Sequence, residues 1–183
     1  PPTDPRRADV LRALERLLQH QTERVKQDPS VLTTVLAELV DHAVDPHGRR
    51  ALRERISDAE AGHGNWPAAI SALESAMSDA PGDVRLAEKL VDFGARAGDK
   101  GAQAKGLEAL EQFAPDAGAR ERAVVARARL LLATEGGAAK AIAALRAFAA
   151  KDAPTTGLLV VLAEVEGQQG DWRAALATLE RAA

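Results

Sequence analysis

Proton transfer or metal binding near neutral pH would fall first to the four histidines, His20, His42, His47 and His63. No HExxH or other ligand spacing joins them. His42 and His47 are near in sequence but lie across a helix break at Asp45-Pro46, and a metal there would also need Asp41 or Asp45. The four therefore read as structural or surface residues. Two glycine-rich pieces, Gly94-Ala95-Arg96-Ala97-Gly98-Asp99-Lys100-Gly101 and Glu135-Gly136-Gly137, superficially resemble phosphate loops. No strand precedes either and no Ser or Thr follows Lys100, so both read as helix-ending turns. Acidic residues are plentiful, but no pair sits in an apolar setting suited to acid–base work, and no serine occupies a nucleophile elbow. The absence of cysteine removes disulfides, thiolate metal sites and thiol catalysis together. The expectation is a protein that is not an enzyme and has no cofactor and no metal.

Charge is the remaining chemistry. Two arginine clusters, Arg49-Arg50-Ala51-Leu52-Arg53-Glu54-Arg55 and the run of Arg120, Arg122, Arg127 and Arg129, have acids close by. They read as solvated helix faces, with an acidic partner peptide as the alternative. A net charge of −3 gives no electrostatic reason to bind nucleic acid, which calls for a basic surface. The longest apolar runs, such as Leu158-Leu159-Val160-Val161-Leu162-Ala163, fall far short of the ~20 residues of a membrane span, so no membrane insertion is expected. The chain does not begin with methionine, and it stops inside an apparent helix at Arg181-Ala182-Ala183. It reads as a piece of a longer protein, with the compartment left open: cytoplasmic, or extracytoplasmic if a signal or anchor has been removed.

The elements that must carry these residues are helical. Apolar residues make up 46% of the chain, enough for a packed core, while aromatics are only 3% and alanine and leucine abound. One stretch organises the rest. Gly170-Asp171-Trp172-Arg173-Ala174-Ala175-Leu176, followed by Leu179 and Ala182, repeats Gly64-Asn65-Trp66-Pro67-Ala68-Ala69-Ile70, followed by Leu73 and Ala76. Each copy combines a glycine able to end a helix, an Asp or Asn able to cap the next, an aromatic, and apolar residues at helical spacing. Weaker echoes stand at Gly98-Asp99-Lys100 and Gly136-Gly137-Ala138. The glycines advance by 98−64 = 34, 136−98 = 38 and 170−136 = 34 residues.

Asp4-Pro5, Asp28-Pro29 and Asp45-Pro46 each pair a helix cap with the residue favoured at the first helical position, and predict helices over roughly 5–26, 29–44 and 46–61. The first is amphipathic and the second more apolar, so the two are expected to pair as a hairpin. Pro81-Gly82 breaks the chain before Asp83 caps another helix. In the third pair the longer step places the extra residues at 100–105, and Gly101 and Gly106 weaken the helix start there. Ten helices in five pairs result. Each pair is apolar on two faces and must stack on its neighbours.

A period near 34, with small residues at Ala69, Ala76, Ala141, Ala163, Ala175 and Ala182 and with Pro81 after the second helix, resembles the tetratricopeptide repeat family over about residues 50–183. The usual aromatic and Leu-Gly pair of the first helix is degenerate, appearing for instance as Arg53 with Ile56-Ser57. The resemblance implies an all-α, right-handed α-solenoid: a divergent repeat or cap over 1–45, then repeats over about 46–82, 83–117, 118–154 and 155–183 as one continuous array. It also implies a concave wall lined by first helices. By register that wall holds Glu54, Asp58, Arg85, Glu88, Asp92, Arg96, Ala126, Leu130, Val160 and Glu164, polar toward the amino end and apolar toward Leu130 and Val160. It lacks the Lys and Asn set with which some family members clamp a peptide carboxylate. Trp66 and Trp172 are expected to wedge between the helices of their pairs. The function implied is a scaffold that binds a partner protein or peptide. The competing readings are a regulatory or sensor module of a larger enzyme or transcription regulator, and self-association of the chain as a homo-oligomer through an exposed carboxy-terminal repeat.

Overall fold

The computed structural model describes residues 9, 10, 12–14, 16, 29–151 and 153–183. The first helix expected from sequence, over 5–26, lies outside them apart from the helical residues 9, 10, 12–14 and 16, and His20 falls outside as well. Nine further helices follow among the described residues, with no strand: α1 Pro29–His42, α2 Pro46–Gly62, α3 Trp66–Asp79, α4 Val84–Ala97, α5 Lys100–Phe113, α6 Ala117–Leu132, α7 Gly137–Lys151, α8 Thr156–Gln168 and α9 Trp172–Glu180. The fold is all-α, of the tetratricopeptide-like hairpin kind expected from the repeat.

Helix starts follow the capping residues. The carboxylates of Asp45, Asp83, Asp116 and Asp171 accept from the amides of Gly48, Arg85, Ala119 and Ala174 at 2.7, 3.1, 2.7 and 3.2 Å. The Thr155 hydroxyl accepts from Leu158 N–H at 3.3 Å. Each bond satisfies one of the amides left unpaired in a first helical turn. Turns follow the glycines: Gly64, Gly98, Gly136 and Gly170 all have φ between 67° and 81°. At three of them the next residue's amide reaches back to the carbonyl five residues earlier, Asn65 to Glu60, Asp99 to Gly94 and Asp171 to Glu166, at 2.8–3.0 Å. This is the bond pattern by which a left-handed glycine closes a helix and reverses the chain.

The longer third step resolves differently from the expectation. The Asp99 carboxylate accepts from Ala102 N–H at 3.0 Å, and α5 runs unbroken from Lys100 through Gly101 and Gly106. The extra residues fall instead in α6, 16 residues against 14 in α4, and in the turn over 133–135. A side-chain cap at the right spacing outweighs the low helix propensity of glycine.

The chain divides into two compact units, Pro1–Ala102 and Gln103–Ala183. In the first, α1 packs on α2, α2 on α3, and α3 on α4. Val35, Leu36 and Leu39 of α1 meet Leu52 and Ile56 of α2. Ala69, Ile70, Leu73 and Ala76 of α3 meet Leu86, Leu90 and Phe93 of α4. Fully buried Ala69 and Ala76 let the helices approach closely, and buried Ser57 uses that approach to donate to the Ala69 carbonyl at 2.8 Å. In the second unit α6 packs on α7, α7 on α8, and α8 on α9. Val124, Ala128, Ala141, Leu145, Phe148, Leu158 and Leu162 form its core. Within each unit successive helices thus bury one face against the helix before and another against the helix after, the α-solenoid mode of packing.

Candidate protein-interaction surface

In the first unit the wall residues lie on α2 and α4, and the structure brings the two helices together through Lys89. Its ammonium lies 2.6 Å from the Asp58 carboxylate and 3.4 Å from that of Glu54, while Glu54 also receives Arg50 at 3.2 Å. Arg50 in turn reaches Asp83 at 3.2 Å. Arg96 pairs with Asp92 at 3.0 Å and sits 5.9 Å from the Trp66 ring, and Arg85 lies 3.5 Å from Asp83. Both arginines and Glu88 are exposed. The charges on this face largely answer one another. An incoming ligand would have to exchange existing pairs, which leaves little net gain.

The first arginine cluster is likewise committed, which corrects its reading as a solvated face. Arg49 and Arg53 both bond Asp79 of α3, and Arg53 also donates to the Ser75 carbonyl at 3.1 Å. The planar guanidinium donors thus tie α2 to α3. In the second cluster Arg127 pairs with Glu111 of α5, and Arg120 donates to the Ala114 carbonyl at 3.1 Å.

The second unit offers a different surface. Ala126 and Leu130 on α6 are half-buried, while Val160 and Glu164 on α8 are exposed beside α9. Val160 and Glu164 line a groove of about 910 Å³ together with Gly167, Trp172, Leu176 and Leu179. Trp172 is 71% exposed, Leu176 59% and Leu179 45%. Trp172 is therefore not wedged between its helices as expected. Its ring lies over Gly167, where a built Cβ would come 3.0 Å from Cζ3, and its outer face is open. Sequence periodicity marks Trp172, Leu176 and Leu179 as apolar but not as uncovered. The legible signal was the exposed-side partner Val160, which stands where the earlier repeat has the charged Glu54.

A buried polar link holds α9 in place. Glu166 is 1% exposed, and its carboxylate takes Arg146 Nε and Nη2 of α7 at 2.9 and 2.6 Å on one oxygen and the Thr178 hydroxyl of α9 at 2.8 Å on the other. A buried carboxylate is tolerated when it is both paired and hydrogen-bonded, and here one acid joins three helices. Among the described residues no group of His, Asp or Glu side chains could hold a metal, and no helix is long and apolar enough to cross a membrane.

No protein-family model matches this chain, and no curated protein matches its sequence. Similar solved structures include MamA from Desulfovibrio magneticus RS-1, residues 41 to the end, at 16% identity and a TM-score of 0.44, covering 96% of this chain and 93% of that one. Another is YrrB, described as a TPR protein with an unusual peptide-binding site, at 14% identity and 0.43, covering 92% and 80%. A tetratricopeptide repeat protein from Parabacteroides merdae ATCC 43184 is similar at 12% and 0.46, covering 99% and 79%.

Proposed function

We propose that this chain is a non-catalytic interaction module that holds a partner protein or peptide along its first-helix faces, with the decisive contacts at the Trp172 groove. One observation carries this reading: three large apolar side chains of α9 stand open in a row beside Val160 and Glu164. Exposed, contiguous apolar surface with a polar rim is the usual mark of an interaction site, and tryptophan is the side chain most enriched among residues that dominate binding. On the α2–α4 face the exposed Asp58, Arg85, Glu88, Asp92 and Arg96 add weak, exchangeable polar contacts, while Glu54 stays paired with Arg50 and Lys89.

Affinity capture with the wild-type chain, a Trp172→Ala, Leu176→Asp variant, and a variant changed at Arg85, Asp92 and Arg96 tests the reading. A partner kept by the wall variant and lost by the groove variant is expected. A partner lost only when Arg85, Asp92 and Arg96 change would move the decisive surface to α4, and capture of no partner by the wild type would overturn the reading.

A further inference from the structure

The second arginine cluster divides by what its members touch. Arg120 and Arg127 are committed to the Ala114 carbonyl and to Glu111. Arg122 and Arg129 are exposed and, among the described residues, have no hydrogen-bond or ion-pair partner. They lie 129−122 = 7 residues apart on α6, which is two helical turns and about 10 Å along one face. That face points away from the core, which takes Ala123, Val124 and Ala128 of the same helix.

The reason they stay unpaired is local. An arginine on a helix finds a carboxylate three or four residues away, as Arg50 does with Glu54 and Arg96 with Asp92. At those distances from Arg122 and Arg129 stand only Gly118, Ala119, Val125, Ala126, Leu132 and Ala133. A shift of 126−92 = 34 residues sets Ala126 and Leu130 on Asp92 and Arg96, so the ion pair of α4 has no counterpart on α6. The acids at the start of α6 are engaged elsewhere. Asp116 accepts from the Ala119 amide at 2.7 Å, and Glu121 accepts from the Thr155 amide at 3.1 Å and from its hydroxyl. Glu164, exposed on neighbouring α8, makes no ion pair with either arginine.

We infer that the exposed face of α6 receives an extended acidic segment of a partner protein, with two carboxylates three residues apart, one on Arg122 and one on Arg129. This rests on the interaction-module reading and names the chemistry of what is bound. The planar donor fork of arginine matches a carboxylate. A segment in the polyproline II conformation returns to the same face every three residues, about 9 Å, which is close to the separation of the two arginines. Small Ala126 between them leaves room for the backbone of that segment. The rest of α6 is already occupied, by α5 through Arg127 and Glu111 and by α7 and α8 through packing, and this face stays open with those helices in place.

The probe is a short labelled peptide with glutamate at every third residue and proline and alanine between, added to the 183-residue protein and read by fluorescence anisotropy. Saturable binding that weakens as salt is raised is expected. Arg122→Glu combined with Arg129→Glu should weaken it about tenfold, roughly the worth of two exposed charge pairs. Arg173→Glu combined with Arg181→Glu makes the same change of net charge on exposed residues elsewhere and should alter binding less than about twofold. A peptide with lysine in place of glutamate should bind the Arg122→Glu, Arg129→Glu protein better than wild type, a gain that a misfolded variant would not give. No binding, equal losses in the two double variants, or a single-stranded oligonucleotide bound as tightly as the acidic peptide would overturn the proposal. A captured partner that survives Arg122→Glu with Arg129→Glu would sink this inference while leaving the interaction-module reading standing.

Discussion

Trp66 and Trp172 occupy the same place in two copies of one motif, and their surroundings differ. Trp66 is half-buried, edge-on to Phe93 and under Arg96. Trp172 lies against Gly167 and is open on its outer face. The local sequence builds the same turn and helix in both cases. In the first unit the aromatic is covered by the helix that follows, α4, whose Phe93 lies 27 residues beyond Trp66. A motif therefore fixes which side chains are available for burial, and tertiary context decides which of them are left for binding.

The comparison can be broken most forcefully through the cores, where the two units should behave alike. Leu73→Ala and Leu145→Ala each empty a fully buried site and should each cost about 3 kcal/mol in chemical denaturation. A cost under about 1 kcal/mol at either would mean that one unit is loosely packed. Arg146→Ala removes a principal partner of buried Glu166 and should cost about 3 kcal/mol, whereas Arg85→Ala, on an exposed side chain, should cost under about 0.5 kcal/mol. Equal effects would deny that α9 is anchored through Glu166.

The tryptophans give the sharpest contrast. Trp66→Ala should cost about 2–3 kcal/mol, below the full core value because the ring is only partly covered, and Trp172→Ala should change stability by less than about 0.5 kcal/mol. Thermal melts of the two variants check this, and a large loss at Trp172 would restore the wedge reading. The last comparison concerns the turns. Gly98→Ala and Gly170→Ala each force a side chain into a left-handed conformation and should cost about 1–2 kcal/mol at both sites, so a marked difference would show that the two turns are held unequally.

Much of the fold was legible because its signals are local. The left-handed glycines at 64, 98, 136 and 170, the Asp45, Asp83 and Asp171 caps, and buried Ala69, Ala141 and Ala163 all follow from single-residue chemistry at a repeating period. The candidate surface was legible only in part. Val160 and Glu164 were assigned to a wall by register and line the groove, but periodicity does not report the exposure of Trp172. Arg49 and Arg53 looked like a solvated face because their partner, Asp79, lies one helix away across a hairpin. Glu166 has acidic and apolar neighbours in sequence that give no hint of Arg146, 20 residues earlier, or of Thr178.

The most direct test measures acrylamide quenching of Trp172 in a Trp66→Phe chain, free and with its captured partner bound. Strong quenching in the free chain and several-fold protection in the complex are expected. Quenching that the partner leaves unchanged would contradict the assignment of the α8–α9 groove as the binding surface.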